Sequence, residues 1–375
     1  MLLSEVRHQG SALRRIQQSF SRDRVPHAYL FHGPEGVGKE SLAKGLAQLL
    51  LCGHPRDREL AGNDAEEVGL QRVRESCGHC EDCRLVAAQT HPDFHVVYRQ
   101  LLRVHSDPEV RKKKGLEIVI DVVREFVIHK AGLTPFRGRA KVFVIRGADE
   151  MNPASQNALL KTLEEPEGTT FIILLVSAVD LLLPTTLSRC QLVRFSGLPE
   201  RFIRDKLHEL RRELSAERVE WYSRRAEGSL GRALEYADDE LFEVHQRLAE
   251  GLTRLGDSHS DSLAKAWTDE AAALGERYRK RDPEITDAEA TRCGTATVFQ
   301  LAAGWYGDVL RSRVGAAQDI EAEAAATAIN RLAEAQRQLD LNANTQLIVE
   351  TLVGDLAGST VVWDHRARKR SPLEA

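Results

Sequence analysis

The sequence predicts an α/β domain followed by all-α ones, and three observations carry that prediction. The run His27-Ala28-Tyr29-Leu30-Phe31-His32 stops at a Gly-Pro turn, and helical periodicity begins after Lys39, which reads as strand, glycine loop, helix. Two more apolar runs, Lys141 to Ile145 and Thr170 to Val176, are continuous rather than alternating, as strands covered on both faces of a parallel sheet are. After Gly197-Leu198-Pro199 the strand signals fade, and amphipathic helical patterns continue through Leu356.

The elements follow in order. Between the two apolar runs lies a helical stretch from Pro153 to Glu164, ended by Pro166 and Gly168. A strand, helix, strand unit of this kind implies a right-handed crossover and parallel pairing. The stretch from Asp257 to Thr295 is charged, alanine-rich and interrupted by Asp282-Pro283, which suggests a second boundary within the helical part. No internal repeat is visible.

Bulk properties narrow the classes. A chain of 375 residues, 42% hydrophobic and 29% charged, is long enough for two or three domains with separate cores. A net charge of −4 gives the whole chain no general attraction to nucleic acid, which leaves local basic runs, Arg111 to Lys114 and His365 to Arg370, as the candidate contacts. The first residues carry no basic region ahead of a long apolar core, and no stretch stays uncharged for the about 18 residues that a membrane helix requires. A soluble, cytoplasmic protein with no membrane association is expected.

Gly33-Pro34-Glu35-Gly36-Val37-Gly38-Lys39-Glu40-Ser41 fits G-x-x-x-x-G-K, a loop whose N–H groups cradle phosphates while the lysine reaches their outer oxygens. Gly33, Gly36, Gly38, Lys39 and Ser41 are the candidate nucleotide-binding residues. A working ATPase has Ser or Thr directly after the lysine to ligate Mg²⁺, and here that position holds Glu40. Ser41 points about 100° further round the helix and is a poor substitute. A working site also has an acidic residue at the end of the next motif strand, where this chain has Arg146-Gly147. Asp149-Glu150, three residues on, are the alternative acidic pair.

Cys77-Gly78-His79-Cys80-Glu81-Asp82-Cys83 spaces three thiols by two residues each, and Cys52 lies upstream with 24 residues between it and Cys77. Four sulfurs suit a closed, tetrahedral structural Zn²⁺, with His79 as the alternative to one of them. Cys190 and Cys293 read as ordinary buried thiols.

His27 to Phe31, the phosphate loop, the cysteine cluster followed by His91-Pro92-Asp93, Asn157-Ala158-Leu159-Leu160-Lys161-Thr162-Leu163-Glu164-Glu165-Pro166, and Ser188-Arg189-Cys190 occur in this order. In that combination the chain resembles the clamp-loader subunits of the AAA+ superfamily from about residue 8 to 240. The resemblance implies an AAA+ parallel-sheet domain at 1–196 with a zinc module at about 52–83. A small helical lid at 197–256 and a helical collar for oligomerisation at 257–375 would follow. It implies a hetero-pentamer with motor ATPase and clamp-opening subunits, which places a sliding clamp on primed DNA. Arg189 would then be an arginine finger acting in trans on a neighbour's ATP, while Ser177 and Arg232 would match the two sensors.

Within that family the departures at Glu40, Arg146 and Gly147, with Ser188-Arg189-Cys190 kept, match a non-catalytic stator rather than a motor. A motor-type ATPase using Asp149 and Glu150 is the alternative, and ATP binding without hydrolysis stays open. Family members separate the first two cysteines by a short interval, whereas here a charged insertion, Pro55 to Arg74, makes Cys52 the least secure ligand. A second, basic insertion from Arg99 to Leu116 matches no family role and reads as a surface loop or a DNA contact.

Overall fold

The computed structural model describes residues 2–22, 24–113, 117–137, 139–255, 260–283, 285–312, 320–341 and 343–358. Lys114, the His365 to Arg370 run and the boundary expected at 257 lie outside them. The chain forms two compact units, Met1–Ala233 and Leu234–Ala375.

The first unit is built on a five-stranded sheet. Helix α1 (Gly10–Ser21) precedes strand β1 (Ala28–His32), which the glycine loop joins to helix α2 (Lys39–Leu51). Strands β2 (Arg56–Glu59) and β3 (Arg72–Glu75) form a separate antiparallel pair. Strands β4 (Phe94–Val97), β5 (Lys141–Ile145), β6 (Thr170–Val176) and β7 (Gln191–Arg194) complete the main sheet in the order β4-β5-β6-β1-β7, with every neighbouring pair parallel. The order is the parallel sheet that the crossover argument requires, with the phosphate-loop strand between β6 and β7.

The apolar runs at β5 and β6 are buried as their continuity demands: every residue of β5 is buried, and six of seven in β6. Their crossover helix spans Pro153–Glu164, with proline in its first turn and the Asn152 side chain capping the Ser155 N–H at 2.9 Å. Leu159 and Leu163 of that helix pack with Leu30, Phe143, Ile172 and Leu174 into one core.

The Pro55 to Arg74 insertion is a small hairpin around a short helix (Asn63–Val68), and α1 holds it. Gln17 exchanges hydrogen bonds with the Arg74 backbone at 2.7 and 2.9 Å, and Arg14 Nε donates to Val68 O at 2.6 Å. The second insertion carries a 3-10 turn (Arg99–Val104) and a one-turn helix (Pro108–Arg111). Two of its lysines already have acidic partners, Lys112 with Glu109 at 2.5 Å and Lys113 with Asp121 at 2.6 Å.

Every regular element among the described residues of the second unit is a helix. Its helices include Leu241–Thr253, Ser260–Arg281, Asp287–Ser312, Ile320–Asp340 and Thr345–Gly358. The two longest approach closely where Gly294 faces Ala271 and Gly275 faces Ala290; a Cβ on Gly294 would come within 2.0 Å of the Ala271 carbonyl oxygen. The expectation that Cys190 and Cys293 are buried is corrected here: Cys190 is half-buried, and Cys293 is exposed.

Candidate functional site

The phosphate loop forms as its sequence requires. Gly36 (φ 70°) and Gly38 (φ 104°) occupy the left-handed region, where a side chain would be strained, and Gly38 caps α2 so that the helix N-terminus faces the loop. Gly36 also has no room for a side chain: a Cβ there would sit 2.4 Å from Ser229 Oγ and 2.7 Å from Gly231 Cα. The Gly231 N–H donates to Gly36 O at 3.1 Å, so the start of the helix carrying Arg232 rests on the loop. From the other side, Gln9 donates to Val37 O at 3.2 Å and to Ser196 O at 2.8 Å.

The charges of Lys39 and Glu40 have partners within the protein. Lys39, only 8% exposed, turns back onto its own loop: its ammonium donates to Gly33 O, to Pro34 O at 2.9 Å and to Ser177 Oγ at 3.1 Å. Burial holds its pKa below the usual lysine value, with Asp149 and Glu35 opposing the shift. Burial likewise lowers His32, at the end of β1, with Arg194 and Lys39 adding to the effect. Glu40, where a hydroxyl would ligate Mg²⁺, pairs with Lys44 at 2.8 Å and with Arg146 at 3.1 Å. Ser41 is half-buried on the next step of α2.

The alternative acidic pair is used elsewhere. Asp149 Oδ2 accepts from the Ser177 and Ala178 N–H groups at 2.9 and 2.8 Å, so it caps the end of β6, and Glu150 lies 3.9 Å from Arg99. Arg232 faces Glu227 at 3.4 Å, and its N–H bonds Ser229 Oγ at 3.0 Å.

Arg189 stands on the turn after a short helix (Pro184–Leu187). Its Nε and Nη2 engage the Glu164 carboxylate, while Nη1 donates to Thr185 O at 2.8 Å. Glu164 belongs to the Leu-Leu-Lys-Thr-Leu-Glu-Glu-Pro stretch, so two of the sequence landmarks meet here. Both side chains keep substantial exposure, 30% and 46%.

The four cysteines converge. Their sulfurs all lie within 4.8 Å of one another, with Cys52 to Cys77 at 3.6 Å, Cys52 to Cys80 at 3.9 Å and Cys77 to Cys83 at 3.9 Å. A tetrahedron with metal–sulfur bonds of about 2.3 Å has edges of about 3.8 Å, so the cluster has the size of a four-thiolate metal site. The β2–β3 hairpin explains how Cys52 reaches it: the long insertion leaves and returns beside itself. Backbone N–H groups of His54 and Cys77 approach Cys52 Sγ at 3.4 and 3.3 Å, as they would a thiolate. His79 instead points its Nδ1 at Cys77 O, 2.8 Å away. The cluster could hold a metal ion.

His91-Pro92-Asp93 ties this module to the sheet. Asp93 accepts the Phe136 and Arg137 N–H groups at 2.6 and 2.8 Å, and Arg137 reaches Asp82 and Glu81 beside the cysteines. The sequence reading missed three features: the Glu40–Arg146 pair, the Gly231 contact on the loop, and the Glu164 partner of Arg189. Only the first left a signal, since the two departures from the motif carry opposite charges.

The family model described as DNA polymerase III, delta subunit, matches residues 8–199, just over half of the chain. The chain belongs to the DNA polymerase III delta-subunit family. The matched span contains the phosphate loop, the four cysteines and Arg189, whereas Arg232 lies beyond it. Curated relatives include the DNA polymerase III subunit delta' of Pseudomonas aeruginosa, 40% identical over 44% of this chain and 41% of its own length. The delta' subunit of Bacillus subtilis is 31% identical over 54% of this chain and 51% of its own. The tau subunit of Salmonella typhimurium is 31% identical over 73% of this chain and 39% of its own. The chain thus spans about half the length of the curated delta' relatives it matches. A solved gamma subunit-related protein of Thermotoga maritima superposes with a TM-score of 0.43 at 17% identity, over 94% of this chain and 99% of that one. No described helix is long and apolar enough to cross a membrane.

Proposed function

We propose that this chain is a non-catalytic stator in the clamp loader of DNA polymerase III, which places a sliding clamp on primed DNA in the cytoplasm. One observation carries the reading: at the phosphate loop the two positions that serve Mg²⁺ in a motor subunit are bonded to each other, while Arg189 is presented at the surface with an exposed partner. Arg189 then acts as a finger in trans, offering forked hydrogen bonds to the γ-phosphate held by a neighbouring ATPase subunit. Its pair with Glu164 is half-solvated and contributes within about 1 kcal/mol, so a triphosphate displaces it readily. Residues 197–256 form the lid and 257–375 the collar that meets the other subunits. Arg232, Ser41 and the loop glycines keep the shape of a nucleotide cradle without its chemistry. Cys52, Cys77, Cys80 and Cys83 hold a structural Zn²⁺ that fixes the insertion. Asp149 gives the motor-type alternative little support, since its carboxylate is committed to two backbone amides.

The test is ATP turnover by the reconstituted loader. Arg189→Ala is expected to leave assembly intact and to cut hydrolysis at the affected site by about 10³-fold, whereas Lys39→Ala leaves it unchanged. Full turnover with Arg189→Ala, or turnover by the isolated chain that Lys39→Ala abolishes, would overturn the reading.

A further inference from the structure

In a phosphate-loop NTPase, Mg²⁺ bridges two parts of the fold: the hydroxyl directly after the loop lysine, and an aspartate at the end of the motif strand. The corresponding residues here are Glu40, in the first turn of α2, and Arg146, directly after β5. They face each other across that same span, Glu40 Oε1 to Arg146 Nη2 at 3.1 Å. The same carboxylate oxygen also meets Lys44 at 2.8 Å. Arg146 is steadied on its other side: its guanidinium lies over the Tyr98 ring at 5.3 Å, and its backbone N–H donates to Val97 O at 2.8 Å.

Mg²⁺ does not fit this arrangement. It takes oxygen ligands at about 2.1 Å in octahedral geometry, and an arriving divalent ion would find a guanidinium where it requires a carboxylate. The single carboxylate present already has two cations on it. Asp149, the next acid along, is bonded to the end of β6.

We infer that Glu40 and Arg146 are one replacement in two parts: their ion pair stands in for Mg²⁺ and its ligand, joining α2 to the end of β5 with no nucleotide present and excluding metal-bound nucleotide. The inference deepens the stator reading, because a loop whose bridge is internal has one state where a motor's has two. Each change is intelligible only with the other. Glu40 alone would repel phosphate, and Arg146 alone would leave a cation at the strand end without a partner.

The experiment is titration of the full chain with a fluorescent ADP analogue, in Mg²⁺ and in EDTA. For the native chain, affinity is expected to be the same within about twofold in the two buffers, whether measurable or nil. Glu40→Thr with Arg146→Asp together should gain Mg²⁺-dependent affinity of about tenfold or more, and either change alone less than about threefold. Mg²⁺-dependent binding by the native chain, a single change as effective as both, or a folded double variant with no gain would each overturn the inference. A charge swap, Glu40→Arg with Arg146→Glu, made in a Lys44→Ala background so that no like charge faces the new arginine, guards against misfolding: it should recover most of the about 2 °C of melting temperature lost by either reversal alone in that background, and no recovery counts against the pair. None of these readouts uses Arg189 or the partner subunits, so this inference and the stator reading fail separately.

Discussion

The phosphate loop, whose motif cradles a phosphate, and the cysteine cluster, which could hold a metal ion, differ in how much of their charge the protein matches alone. At the loop, Lys39 is bonded to its own carbonyls, Glu40 to Arg146, and Asp149 to the end of β6. At the cluster, four sulfurs lie within 4.8 Å of one another, three of their pairs at 3.6 to 3.9 Å, too far apart for a disulfide and alike in charge, so none can neutralise another. The lesson is that a motif's surviving residues say less about its function than whether their charges are already matched.

The largest effect should come from breaking the unmatched site. Cys83 is fully buried at the centre of the module. Cys83→Ser is expected to abolish a stoichiometry of about one metal per chain and to destabilise the first unit by about 4 kcal/mol, or about 10 °C in melting temperature. Metal content measured beside the thermal transition checks this. A metal-free native protein that melts like the metallated one would remove the contrast with the loop.

A smaller effect is expected at Gly36, where the loop packs against Ser229 and Gly231. Gly36→Ala forces a side chain into a backbone of φ 70° and against Ser229 and Gly231. The expected cost is about 2 kcal/mol, read as a lower denaturant midpoint at unchanged slope. On the stator reading, added nucleotide should not restore the midpoint; restoration would mean that the loop still carries its ligand's task.

Much of this contrast was legible before the fold was known, and the part that was not has physical causes. Strands β5 and β6 and the helix from Pro153 announced themselves because burial on both faces writes continuous apolar runs, and because Asn152-Pro153 is a strong start signal. Strands β4 and β7 went unread: each is four residues long, pairs on one side only and is partly exposed, so neither needs an apolar run. The cysteines were legible as ligands, but how Cys52 reaches the others depends on a hairpin whose β2 strand, Arg-Asp-Arg-Glu, has no hydrophobic face at all. Arg189 stood out by motif, whereas its Glu164 partner lies 25 residues away and meets it only through the packing of the crossover helix.

The smallest effect is the one whose sign most directly separates the two sites. On the proposed reading, removing a cysteine destabilises because a metal is part of the fold, whereas Lys39 is a buried cation bonded to its own loop and to Ser177. Burial holds its folded-state pKa below the usual lysine value, so the native chain carries the full penalty at neutral pH, where both folded and unfolded lysines are protonated. As pH rises through the folded pKa, the native ammonium loses its proton while the unfolded one keeps it, and the penalty is relieved towards the ordinary lysine range. Lys39→Met retains the aliphatic stem and removes the charge. It is expected to stabilise the chain by about 0.5 kcal/mol at neutral pH, with the advantage shrinking as the solution is made alkaline, as denaturant midpoints across that range would show. A destabilised Met variant would mean that the bonds from Lys39 to Pro34 and Ser177 outweigh its desolvation, and that the loop is held together by its lysine as firmly as the module is by its sulfurs.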